Sequence, residues 1–134
     1  MRRTNLTLAL TLAVLVLAAA VPVLSQKAEK VNLAGTWTGY TILGDGNRAD
    51  FNLILEKAGE TYTGKITDET GVIPEMTIKN VSFKNPTLSF DIDLPEGAET
   101  RLIKIELKLE ADTLKGSWAD PDGNTNVIEL ARKK

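Results

Sequence analysis

Residues 53–71, LILEKAGETYTGKITDETG, and residues 107–123, LKLEADTLKGSWADPDG, are two versions of one pattern. Each is an alternating strand, a tight turn, a second strand with a central glycine (Gly64, Gly116) and an acidic turn (Asp68, Asp120). A hairpin repeated within one small chain is a way of building and closing an antiparallel sheet. It therefore fixes architecture more firmly than chemistry.

Outward from the repeat the period stays at two. Phe51, Leu53 and Leu55 alternate with Asn52 and Glu56, and Ile103, Ile105, Leu107 and Leu109 alternate with Lys104, Glu106 and Lys108. Such strands have one buried and one wet face. Eight are predicted, over 33–42, 50–57, 61–68, 76–84, 87–94, 101–110, 113–119 and 125–132. Their links, among them Gly44-Asp45-Gly46-Asn47, Ala58-Gly59-Glu60, Asn85-Pro86, Ala111-Asp112 and Asp120-Pro121-Asp122-Gly123-Asn124, are short and rich in turn formers. Consecutive strands should pair as an up-and-down meander, and eight can close into a barrel without exposed edges. The fold class expected is all-β, an eight-stranded antiparallel up-and-down barrel. Its inward set is Trp37, Phe51, Leu53, Leu55, Tyr62, Ile66, Phe83, Leu88, Phe90, Ile92, Ile103, Ile105, Leu107, Leu109, Leu114, Trp118, Ile128 and Leu130, with Gly35, Gly39, Gly64 and Gly116 in the same phase. A missing side chain at those glycines relieves crowding and lets a strand coil sharply.

The first 25 residues are a different material. Arg2 and Arg3 precede an apolar run over 6–24, and Val23-Leu24-Ser25 places acceptable residues at the −3 and −1 positions of a signal peptidase site. A cleaved leader over 1–25, a flexible lead-in over 26–32 and a barrel domain over 33–134 are expected, hence export to the periplasm or the medium and no stable membrane anchor after cleavage. A retained anchor is the competing reading, since a spanning helix needs about 20 apolar residues; Pro22 near the end of the run argues against it. The chain has no cysteine, so neither a lipid-modified cysteine nor a disulfide supports the exported domain. Cleavage would take 16 basic residues to 14 against 18 acidic ones, a net charge of −4. An acidic surface without clustered Lys and Arg argues against a nucleic-acid partner.

The opening strand Gly35-Thr36-Trp37-Thr38-Gly39 resembles the G-x-W signature with which lipocalins and other calycins begin their barrels. In those families an arginine from the last strand packs across the tryptophan, and the resemblance assigns Arg132 that place beside Trp37. Over most of the mature chain the order GTWTG, LILEKAGETYTGKITDETG, IPEMTIKNVSF, LSFDIDL, LKGSWADPDG and VIEL is similar to a small lipocalin-like β domain of exported bacterial proteins, often found ahead of an α/β-hydrolase domain. Pro74, Val81, Phe83 and Phe90 stand at its motif positions. The resemblance implies fold and export more than function. Avidin-like barrels also open on G-T-W, but Thr38 and Gly39 stand where that family places polar biotin ligands, and its paired inward tryptophans are missing; biotin binding is rejected.

Catalysis has little material. Without His or Cys there is no Ser-His-Asp or Cys-His arrangement, no ordinary zinc site and no histidine for haem. The nearest carboxylate pairs, Asp91 with Asp93 and Glu106 with Glu110, fall in the polar phase of their strands and read as outer-face charges facing lysines. Asp120-x-Asp122-Gly123-Asn124-x-Asn126 resembles the first half of a calcium loop, whose completing bidentate acid would have to come from elsewhere, with Glu129 the candidate, but it is at least as good a hairpin turn. No catalytic residue, metal or cofactor is expected. The candidate ligand-binding residues of the interior are Trp37, Phe51, Tyr62, Ile66, Phe83, Phe90, Leu114 and Trp118. Two readings stand: an apolar or amphipathic small molecule held inside the barrel, or a filled core that serves as an accessory module for a protein partner. An interior void of about 300 Å³ or more, open at one end, separates them.

Overall fold

The computed structural model describes residues 31–134. The leader over 1–25 and residues 26–30 of the lead-in lie outside the described residues. Nine antiparallel strands are formed among the described residues: β1 (Gly35–Ile42), β2 (Arg48–Ala58), β3 (Thr61–Thr67), β4 (Met76–Thr77), β5 (Lys79–Lys84), β6 (Thr87–Glu96), β7 (Glu99–Glu110), β8 (Thr113–Ala119) and β9 (Thr125–Arg132). They make one sheet in the order β4-β3-β2-β1-β9-β8-β7-β6-β5. Each strand pairs with its sequence neighbour, except that β1 also pairs with β9 and β4 does not pair with β5.

The two ends of that order are consecutive in sequence, so the sheet is a nearly closed barrel. The single fourth strand expected over 76–84 is two. Its first part pairs with β3, Lys65 opposite Thr77, and its second with β6, Phe83 opposite Leu88. The change of partner is made at Asn80, which takes a left-handed conformation (φ 53°) inside a register shift between Lys79 and Ser82. Asparagine tolerates that region better than most residues. Across the seam the Ile78 N–H donates to the Gly64 carbonyl at 3.0 Å and the Thr61 hydroxyl to the Val81 carbonyl at 3.3 Å.

The repeat appears as two equivalent hairpins. Leu55 faces Gly64 in the first, and Leu107 faces Gly116 in the second. A methyl group at Gly64 would overlap the Ile54 carbonyl, and one at Gly116 the Glu106 carbonyl. Only a bare backbone allows strands to approach so closely where they coil. Both hairpins turn through two residues whose first has positive φ, Gly59 (66°) and Ala111 (58°). Both continue into an acidic turn in which the glycine N–H, Gly71 or Gly123, donates to the carbonyl of Asp68 or Asp120 at 3.1 Å.

The interior is apolar. Trp37, Leu53, Leu55, Leu88, Leu107, Leu114 and Leu130 are essentially without exposure. Of the expected inward set, Phe83, Leu109 and Trp118 are only half-buried, because they stand near the barrel ends. Leu33, Met76 and Ile78 are buried though outside that set. Leu33 was expected to open the first strand; instead it precedes β1 and turns into the barrel.

Ala111 pays for a left-handed conformation that glycine adopts freely, so Ala111→Gly should raise stability by about 1 kcal/mol. Gly116→Ala should lower it by about 3 kcal/mol through the carbonyl overlap. Urea unfolding reads both; a Gly116→Ala midpoint equal to that of the native chain would refute the close approach.

Candidate functional site

The strand links divide the barrel into unlike ends. Two-residue turns at 59–60, 85–86 and 111–112 gather at one end, and the longer loops 43–47, 68–75 and 120–124 at the other, with the tight 97–98 turn. The short-turn end is filled. Leu33 is wholly buried there, its N–H donating to the Tyr62 hydroxyl at 2.9 Å, while the Trp37 indole N–H donates to its carbonyl at 3.0 Å. Tyr62 and Phe83 meet edge to face, ring centroids 6.2 Å apart. The Arg132 guanidinium lies over the Trp37 ring at 4.4 Å and donates to the carbonyls of Ala34 at 3.3 Å and Asn32 at 3.2 Å. One side chain so fastens the incoming chain across the last strand, and the cation–π contact contributes about 0.5–2 kcal/mol.

The loop end is hollow. A cavity of about 370 Å³ opens there, lined chiefly by aliphatic side chains such as Ile66, Ile92, Ile103 and Ile128, with Phe51 and Trp118. Isoleucines at this level leave the axis empty, whereas Trp37, Tyr62 and Leu33 fill it at the other. Trp118 is fixed by its indole N–H, shared between the Thr41 hydroxyl at 3.0 Å and the Ile42 carbonyl at 3.1 Å. The Thr41 hydroxyl itself donates to the Val127 carbonyl at 2.7 Å, which satisfies this buried polar side chain.

The rim of the cavity is charged. Arg101 reaches Glu96 at 2.9 Å, Asp120 at 2.9 Å and Asp122 at 3.0 Å. Asp120 is nearly enclosed: Oδ1 accepts the N–H groups of Asp122 and Asn124, and Oδ2 accepts from the Asn124 amide and from Arg101. The Asn124 amide first, then backbone N–H groups and Arg101, hold this carboxyl below the usual range, against an opposing effect of burial. The Ile73 N–H and the Thr70 hydroxyl and N–H do the same for Asp68, as the Asn47 N–H does for Asp45. The calcium-like spacing is thus a hydrogen-bonded turn whose oxygens face its own donors. Among the described residues no three acidic side chains gather as a metal-binding group. On the outer face Asp93 pairs with Lys79 at 2.8 Å, and Asp91 lies 3.8 Å from Lys104.

Of the candidate interior residues, Phe51, Ile66 and Trp118 line the cavity. Trp37, Tyr62, Phe83 and Leu114 belong to the filled end, and Phe90 is buried opposite Ile105 outside the lining. The Tyr62 hydroxyl accepts from the Leu33 N–H and so takes part in the stopper. Thr41, Ile73, Met76, Leu94, Glu96, Arg101, Asp120 and Asn124 border the cavity and were not among the residues expected to line it. For five of them a signal existed: the inward phase of β1 reaches Thr41, and that of β6 passes through Leu94. The inward phase of β6 runs on to Glu96, that of β7 begins at Arg101, and that of β8 ends at Asp120, so following the alternation past its last apolar residue reaches the rim.

No protein-family model matches the chain, and no curated protein does. A solved structure described as a redesigned beta barrel is similar over 76% of this chain and 92% of its own, with a TM-score of 0.57 and 21% identity. The likeness is one of fold.

Because Asp120 is held below its unfolded value, it stabilises the loop end above about pH 4, and that contribution is lost as pH falls through the lower folded value. Asp120→Asn keeps an acceptor oxygen but cannot titrate. Its stability should fall less steeply than that of the native chain below about pH 4 in acid-titrated urea unfolding; identical slopes would remove Asp120 from the acid response.

Proposed function

We propose that this protein is an exported, non-enzymatic barrel of lipocalin-like type that holds a small apolar or amphipathic molecule in its loop-end cavity. The observation that carries the reading is the asymmetry of the interior: one end stoppered by Leu33, Trp37, Tyr62 and Arg132, the other open to a cavity of about 370 Å³ with apolar walls and a polar rim. Small-molecule sites have this form, an apolar concavity of about 300–1,000 Å³ with a few placed polar groups. Binding inside a narrow barrel also needs no catalytic group, in keeping with a chain that has no His and no Cys. Export rests on the leader pattern of residues 1–25 and places the protein in the periplasm or the medium. The G-x-W opening and the arginine over its tryptophan support the calycin-like reading. The alternative is an accessory module that meets a protein partner and takes no ligand.

The test is titration with an uncharged environment-sensitive dye such as N-phenyl-1-naphthylamine. Its fluorescence should rise on binding, with quenching of Trp118 but not of Trp37; Trp118→Phe should abolish the quenching. Ile73→Trp, which adds bulk at the half-buried mouth, should weaken binding by ~10-fold if the dye loses contacts of the size expected for a displaced apolar group. A native chain that binds no dye turns the reading to the accessory module.

A further inference from the structure

We infer that the ligand of this cavity carries a cationic head, an ammonium or a similar group, above an apolar tail. The inference deepens the cavity-binding reading and rests on it.

The inward alternation of the strands continues into charged residues at both ends of the barrel, but with opposite outcomes. At the filled end it continues into Lys57 and Arg132, and each cation lies over a ring: Lys57 Nζ at 5.5 Å from the Tyr62 centroid and Arg132 at 4.4 Å from that of Trp37. These charges are spent on the stopper. At the open end it continues into Glu96, Arg101 and Asp120, and here acid predominates. Arg101 is bound by three carboxylates at once, Glu96 through Nε and Asp120 and Asp122 through Nη1, which leaves the group with two uncompensated negative charges. The loops at this end also carry Glu69, with Asp45 and Asp68 bonded within their own turns, and β7 opens on Glu99, while Arg48 is taken by Asp50 at 3.0 Å and by the Tyr40 ring at 4.1 Å.

An amphiphile whose tail enters the apolar walls must leave its head at this rim. A carboxylate head would be a fourth anion on one guanidinium, whereas an ammonium would meet a rim that stays two charges negative after Arg101 is counted. Charge complementarity at a partly enclosed mouth selects between ligands of equal tail.

The experiment displaces the neutral dye with three ligands of one chain length, decyltrimethylammonium, decanoate and 1-decanol, reading recovery of Trp118 emission so that only cavity occupancy counts. At low salt decyltrimethylammonium should displace the dye ~10-fold more effectively than decanoate, with decanol between them, the scale expected for a few partly screened charges. The preference should shrink as salt rises and screens the rim. In a Glu96→Gln, Asp122→Asn double variant, verified as folded by its melting curve, the ratio of cation to anion affinity should fall toward one. Decanoate equal to or better than decyltrimethylammonium at low salt would overturn the cationic head and leave the cavity reading standing. Failure of the dye and all three chains to bind would overturn the cavity reading and this inference with it.

Discussion

Everything else in this barrel depends on how closely its strands approach where they coil. At Gly64 and Gly116 the neighbouring carbonyl occupies the space that any Cβ would need, and Gly39 meets the Glu129 carbonyl in the same way. A sheet of these lengths curls into a narrow tube only if such points exist. Once curled, its inner phase has a small volume to fill, and the size of each inward side chain decides whether the axis is occupied. Tryptophan, tyrosine and leucine occupy it at one end; isoleucine leaves it open at the other.

Closure is completed differently on the two sides of the sheet. Between β1 and β9 a regular ladder joins the first strand to the last, Trp37 opposite Arg132. The seam between β3 and β5 is held by few bonds, and the strand there breaks at Asn80 to serve β3 and then β6. Edges in a small domain without disulfides invite pairing with other chains. Here the remaining edge is guarded by the Lys79–Asp93 ion pair and by Pro95 within β6.

The duplicated hairpin explains both similarity and difference between the halves of the barrel. Its glycines, its positive-φ turns and its aspartate turns are features of backbone, and they recur because backbone geometry is what closure demands. The side chains between them are free to diverge. Tyr62 and Ile66 in one copy correspond to Leu114 and Trp118 in the other. Ile66 and Trp118 lie at the level of the cavity, while Tyr62 and Leu114 lie at the level of the stopper.

The sequence by itself determined the strands, their order and their inner phase, because alternation and turn residues are local properties that a pleated backbone translates directly into facing. It also marked Trp37 with Arg132, through the resemblance of the opening motif. Three things were decided only in three dimensions. Leu33 became the stopper because the chain entering β1 bends back under Tyr62, a contact between residues 29 apart. The fourth strand divided at Asn80 because one short segment had to satisfy two neighbours that diverge. The interior became half full and half hollow because filling depends on the summed volume of side chains meeting at one level of the axis, and those side chains come from strands distant in sequence.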